Sequence, residues 1–340
     1  MQVVPLTAAL QPAYTAFLST TPVCLLHYTL KYRDFLLDLT GATAAYHVAV
    51  ADGSVVGVLP LLMRDGAFGT VVNSLPFFGS HGGVLAASQA AESVLWRAYQ
   101  EVVDGAGVAA STVILNPLRP QGDPPIRFDQ TDHRIGQFTS LAFGDDESAL
   151  MAAIDGSTRR NIRKAEHEGV IVTIEHDALP ALEAMHRENI LAIGGRPKPA
   201  RFFTAVPAHF APSTDYDVYV GRINGRIVSA LLLFYCGDTA EYFTPGTEAD
   251  YRVAQPSAAI LRRALLDAAR HGFKRWNWGG TWTTQQGVLA FKRKWGATEH
   301  PYRYFTTVNN PDIYDQTPQR LLSEYPHFYV VPFTALRRSS

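Results

Sequence analysis

Cysteine is nearly absent. The chain has two, Cys24 and Cys236, in 340 residues. They are too far apart for a Cys-x-x-Cys pair, which excludes a thiolate metal site and a dithiol redox motif. Each reads as a small hydrophobe in a reducing compartment. Long apolar runs are missing too: no window approaches the ~18 uninterrupted apolar residues that a membrane-spanning helix needs. The opening residues, M-Q-V-V-P-L, lack the charged n-region and apolar core of a secretion signal, so a cytoplasmic protein without a membrane span is expected. Nor is there an excess of charge of one sign, with 30 Lys and Arg against 31 Asp and Glu. That argues against a dedicated DNA or membrane-surface binder and leaves local patches as the place to look. A Walker loop, a dinucleotide fingerprint, a metal-ligand cluster and a Ser/His/Asp or Cys/His set by spacing are all lacking. No metal is expected.

What is present is an ordinary globular composition, 47% hydrophobic and 18% charged, with enough chain for two cores at roughly 150 residues per domain. Residues 12–19 and 27–39 read as helices. Alternating apolar residues flank Asp52-Gly53, a hairpin signal joining strands at 45–51 and 54–63. Asp65-Gly66 turns the chain into a further strand at 67–75. After F-F-G-S-H-G-G come a helix at 89–104 and a strand at 110–115, then a Pro-rich surface connection over 117–125. A strand follows at 134–143, and acidic residues 145–147 open the next helix.

The second half repeats this plan. Y-H-V-A-V-A-D-G-S-V-V-G-V-L-P-L from Tyr46 lines up with Y-D-V-Y-V-G-R-I-N-G-R-I-V-S-A-L-L-L from Tyr216, with Gly53 on Gly225 and Leu59 on Leu231. In each half a third strand, a loop, a helix and another strand follow; in the second these are 239–244, the loop to Pro256, 257–271 and 274–278. The expectation is an α+β chain of two homologous domains, 1–145 and 146–340, each a mixed, largely antiparallel sheet flanked by helices.

The most informative stretch is K-R-W-N-W-G-G-T-W-T-T-Q-Q-G-V-L-A-F-K-R-K-W-G-A, residues 274–297. An aromatic strand breaks at Gly279-Gly280 and re-forms as a helix ending in Lys292, Arg293 and Lys294, where positive charge suits the helix dipole and Gly296 can cap. A strand that stops at a glycine break before a helix is how α/β proteins present a site. A second stretch, T-R-R-N-I-R-K-A-E-H-E-G-V (158–170), reads as a helix capped by Ser157. It puts Arg160, Arg163, Lys164 and His167 on one face. Guanidinium forks there can clamp phosphate oxygens; a solvated face balanced by Glu166 and Glu168 is the alternative.

Together with G-V-L-P-L (57–61), S-L-P-F and the following G-G-V-L (74–85), and F-K-R-K-W-G (291–296), these residues resemble tandem GNAT acyltransferases over nearly the whole chain. More specifically they resemble the FemA/FemB/FemX-like transferases and their acetyltransferase relatives found beside envelope-polysaccharide genes. The resemblance implies transfer of an acyl or aminoacyl group from a carrier to an amine of an amino sugar or cell-envelope precursor. It implies Glu241 as carboxylate base on the third strand of the second hairpin, with Tyr242 as an alternative general acid. It implies Lys292 near the reacting carbonyl, stabilising the oxyanion or donor phosphates. Arg160 and Arg163 would meet nucleotide phosphates, joined by Arg293 in the cationic helix end. His81, in G-S-H-G-G, is the first domain's candidate substrate contact.

Acyl-CoA is the first expected donor, aminoacyl-tRNA the second and acyl-carrier protein the third. Region 177–210 is two ordinary helices interrupted at Gly194-Gly195-Arg196-Pro197, without the long helical arm of the tRNA-using relatives. One departure stands out. GNAT enzymes cradle the CoA diphosphate with a Gln/Arg-x-x-Gly-x-Gly/Ala loop before a helix, whereas this chain has Arg252-Val253-Ala254-Gln255-Pro256-Ser257-Ala258, without glycines and with a proline that has no N–H. The rival from another class is a non-catalytic pair of nucleotide- or carbohydrate-binding domains.

Overall fold

Two glycine turns organise the strands of this computed structural model, which describes residues 1–77, 81–119 and 122–337. Asp52 and Gly53, both at positive φ (50° and 76°), join His47–Ala51 to Ser54–Leu59. Asn224 and Gly225 (51° and 81°) join Tyr216–Ile223 to Arg226–Cys236. Positive φ at both central residues gives the twist that antiparallel neighbours need, and Asn, Asp and Gly adopt it at least cost. Phe78 to Ser80 of the F-F-G-S-H-G-G segment, and 120–121 of the Pro-rich connection, lie outside the described residues.

Chain contacts divide the molecule into Met1–Ile135 with His300–Ser340, and Gly136–Glu299. The sequence reading placed a single crossing near residue 145. Here the chain crosses twice, because the C-terminal strand Thr298–Val308 pairs antiparallel with Val108–Ile114 from Tyr304 onward. Residues 300–340 thereby join the first unit.

In the first unit the hairpin at Asp52-Gly53 is flanked antiparallel by Gln2–Pro5 and by Leu85–Ala86, giving a four-stranded sheet. The expected strand at 54–63 is in fact two. It ends at Leu59, and a new strand, Leu62–Gly66, enters a different sheet after Pro60-Leu61; proline cannot donate to the ladder, so the strand stops there. Leu62–Gly66 forms a hairpin with Gly69–Asn73, which runs parallel to Val108–Ile114. The helix Gln89–Val103, capped by Ser88, buries Leu95, Trp96 and Tyr99 against Leu59, Val72 and Val113.

The second unit is one mixed sheet. Ile171–Ile174, Tyr216–Ile223, Arg226–Cys236 and Thr239–Thr247 are successively antiparallel, and Arg275–Trp282 is parallel to the last of them. Side chains alternate between the faces. Leu231 and Leu233 meet the helix Pro256–Arg270 through Ile260, Leu261 and Leu265. Phe234 faces the other way, 4.7 Å from Phe210 and 5.0 Å from Phe243 between ring centroids, on the side of the helices Leu179–Ala192 and Ala200–His209. Gly246 lets the first of these helices close on the sheet: a Cβ there would lie 2.9 Å from Met185 Cβ. Among the described residues no helix is long and apolar enough to cross a membrane.

Candidate active site

The sheet of the second unit opens where two parallel strands part. Thr239–Thr247 and Arg275–Trp282 pair at Thr239 with Arg275, Ala240 with Trp276 and Glu241 with Asn277, and no further. Two local features drive the divergence. Opposite Leu232 and Leu233 the register slips, leaving Phe243 as an extra residue; such a bulge bends its strand and sharpens the twist. On the other strand Gly279 takes φ 74°, its N–H accepted by Asn277 Oδ1 at 2.9 Å. The corresponding parallel pair in the first unit, Gly69–Asn73 with Val108–Ile114, stays paired to Asn73, the end of its strand.

Glu241 sits at the base of this opening, only 3% exposed, and its Oε2 accepts from Asn277 Nδ2 at 2.6 Å. Opposite residues of an antiparallel pair share a face, so Glu241, paired with Phe234, points to the side of Phe210 and Phe202. Tyr242 leaves by the other face, its ring 5.0 Å from Trp278 and 6.2 Å from Trp276. Burial raises its phenol above the usual value, so it stays protonated at neutral pH and remains able to donate.

Lys292 enters from the helix Gln286–Arg293, whose buried positions are Leu289 and Lys292, three apart on one face. Its Nζ donates to Thr281 Oγ1 at 2.6 Å and to Gly279 O at 3.4 Å, on the strand just past the divergence. The residue is 5% exposed, and burial pushes the amine down to about 8. A second lysine, which sequence reasoning missed, shares this property. Lys198 Nζ lies 5.4 Å and 5.7 Å from the ring centroids of Phe243 and Phe202, and burial lowers it to about 8. Its own N–H donates to His186 Nε2 at 3.1 Å.

The depressed lysines have a consequence for stability. The folded chain releases these protons near pH 8, whereas an unfolded lysine holds its proton to about 10.4. Between those values the unfolded state binds more protons, so stability rises with pH, by up to about 1.4 kcal/mol per pH unit for each group. In urea titrations from pH 7.5 to 9.5, wild type is expected to gain stability relative to Lys292→Met. Equal pH dependence in the two proteins would show that Lys292 titrates as an ordinary lysine.

The remaining candidates are placed differently. The helix bearing Arg160 and Arg163 runs Gly156–His167 and is capped by Asp155, not Ser157; Asp155 Oδ1 accepts from Ser157 N and Oγ. Ser157 cannot cap because it already lies in the first turn, where the side chain two residues earlier accepts from its N–H. Both arginines are exposed. Their neighbour Arg159 is the structural one, donating to the carbonyls of Met151 and Ile154 at the end of the preceding helix. Arg293 is held in an ion pair with Glu299, Nε to Oε1 at 2.7 Å. His81 has no exposed surface and packs edge-on against His27 and Tyr302 in the first unit. Among the tryptophans of the 274–297 stretch, Trp278 and Trp295 are buried and Trp282 is exposed.

The helix start that GNAT enzymes use for a diphosphate does not fit one here. Its cap is Gln255, in the left-handed conformation. The helix begins at Pro256, which lacks an N–H, and the Ala258 N–H already goes to Gln255 O at 2.9 Å. The Ser257 hydroxyl is tied to Thr247 Oγ1 at 2.7 Å and Ser229 Oγ at 3.3 Å. Among the described residues no group of three His, Cys, Asp or Glu side chains is placed to hold a metal ion.

Residues 155–293 match the acetyltransferase (GNAT) domain family. In fold the chain is similar to FemX, with TM-score 0.70 at 15% identity, over 92% of this chain and 99% of that one. It is also similar to a tandem GNAT protein from the clavulanic acid biosynthesis pathway, with TM-score 0.54 at 12% identity over 91% and 99%. A third likeness is to the C-terminal domain of a putative lysylphosphatidylglycerol synthetase from Agrobacterium fabrum, with TM-score 0.55 at 12% identity over 95% and 99%. No curated protein matches the chain. Residues 155–293 are thus similar to a GNAT acetyltransferase domain, and the chain has the α+β fold of FemX and the tandem GNAT proteins.

Proposed function

We propose that this protein is an N-acyltransferase that moves an acyl group from a carrier thioester to an amine of an amino sugar or other cell-envelope precursor, and that the second domain carries the site. The observation behind this reading is the opening between Thr239–Thr247 and Arg275–Trp282, with a buried carboxylate at its base and a buried ammonium hydrogen-bonded to its far strand. A thioester arm laid between the parted strands presents its carbonyl to Lys292. Glu241, directly or through one water, takes a proton from the attacking ammonium. The amine nitrogen bonds to the carbonyl carbon, the C–S bond breaks, and the carrier thiol leaves with a proton. Lys292, still charged below about pH 8, stabilises the negative charge that develops on the carbonyl oxygen. Arg160 and Arg163, exposed on one helix face, meet substrate phosphates, and Arg293 can join them by leaving Glu299.

The test is product formation. Acyl thioesters incubated with a panel of amino sugars and nucleotide-linked amino sugars are expected to yield an amide detectable by mass spectrometry. Thioester hydrolysis alone, with no amide from any acceptor, would sink the proposal.

A further inference from the structure

We infer that the acyl donor is a thioester on a small acidic carrier protein rather than on coenzyme A. This inference rests on the thioester-transfer reading above and names its partner. Its first observation is the helix start at Pro256. A coenzyme A donor brings a diphosphate that needs several convergent N–H groups at a helix N-terminus. Here one N–H is absent with Pro256, another is spent on Gln255, and the nearby hydroxyls of Ser257, Thr247 and Ser229 bond to one another. A phosphopantetheine arm on a protein carries a single phosphodiester and draws its affinity from the surface of its carrier.

The second observation is such a surface beside the opening. The helix Gln286–Arg293 turns Leu289 and Lys292 inward, and on its outer side Val288 and Phe291 stand 42% and 41% exposed. Trp282, where the parted strand ends, is 48% exposed. The Phe291 ring lies 6.0 Å from that of Trp278, so this patch adjoins the strand that parts at the opening.

Cations border it. Lys294 follows Phe291 by three residues on the same stripe. The helix carrying Arg160 abuts this end, its cap residue Asp155 donating its N–H to Lys294 O at 2.9 Å. The Asp155 carboxyl, lowered mainly by hydrogen bonds from Ser157, is also lowered by the charges of Lys294 and Arg160. Three exposed apolar side chains edged by cations complement a partner that offers apolar residues ringed by carboxylates. The chain's net charge of −1 is a poor match for the alternative macromolecule, an aminoacyl-tRNA, whose phosphates demand a broad positive field.

The full-length protein would be titrated with one acyl group presented on a bacterial acyl carrier protein, on coenzyme A and on free pantetheine, with a charged tRNA alongside. The expected result is at least tenfold tighter binding of the protein-borne thioester than of acyl-CoA. Val288→Asp and Lys294→Glu, both at exposed positions, are each expected to reduce the preference for protein-borne over free pantetheine thioester at least fivefold. Acyl-CoA binding as tightly as the carrier-protein thioester would overturn the inference and leave thioester transfer standing. Wild-type preference in both variants would overturn the docking face. Binding of charged tRNA, with no thioester bound in any form, would overturn both this inference and the thioester reading beneath it.

Discussion

Glu241→Gln is expected to lower kcat for amide formation by roughly 10²- to 10⁴-fold, the range for losing a positioned general base, with the fold unchanged. Glutamine keeps the shape of the side chain and still accepts from Asn277 through its carbonyl, so the strand pair Thr239–Thr247 and Arg275–Trp282 retains its bridge. What goes is the proton acceptor. A partner substitution separates this role from a structural one. Asn277→Asp would put a second carboxyl in place of a donor 2.6 Å from Glu241. Two carboxylates that close cannot both ionise freely, so the pair binds a proton more tightly. The acid limb of the kcat/KM profile is therefore expected to move to higher pH by at least about one unit. An unmoved limb in Asn277→Asp, with near-normal turnover in Glu241→Gln, would remove Glu241 from the mechanism.

Lys292→Met is expected to cost roughly 10²- to 10³-fold in kcat with a smaller change in KM, the pattern for a charge that acts on the developing oxyanion. Methionine fills a similar volume and keeps the helix packed through Leu289, so lost activity is not lost fold. The pH dependence carries the distinguishing sign. Because burial brings Lys292 to about 8, the wild type loses the ammonium as pH rises through that value, and kcat should fall on the alkaline side. The residual activity of Lys292→Met should lack that limb. An alkaline fall that persists unchanged in the variant would assign it to another group.

These two residues show how unevenly the site was legible. Glu241 and Lys292 were reached through a family resemblance, and the strand and helix that bear them are written in the local pattern, T-A-E-Y-F-T after the second hairpin and F-K-R-K-W-G after Gly279-Gly280. Asn277 carried a signal that went unused: a polar residue between two tryptophans in a buried strand needs a partner, since burying an unpaired amide is costly. Lys198 carried none. Its ammonium is desolvated by Phe202 and Phe243, which lie on a helix and a strand brought together only by folding. The burial of His81 was hidden for a like reason, because a histidine among glycines looks like a loop residue until His27 and Tyr302 are seen closing on it.

By itself the sequence determined the elements: both glycine hairpins, the helix order and the α+β class. Such features follow from spacing, turn chemistry and composition over a dozen residues or so, which is the range of local physics. Tertiary structure alone decided where the sheet opens. The divergence after Glu241 needs a bulge on one strand and Gly279 on its neighbour, more than thirty residues apart, and no local pattern couples them. It also decided that residues 300–340 pack with the first unit, and which cations are buried, paired or exposed. Arg159, Arg160 and Arg293 look alike in a string of letters. One closes a helix end, one stands in solvent and one holds Glu299, because the turns beside these helices bring some of them onto carbonyls or a carboxylate that a helix-face reading does not include.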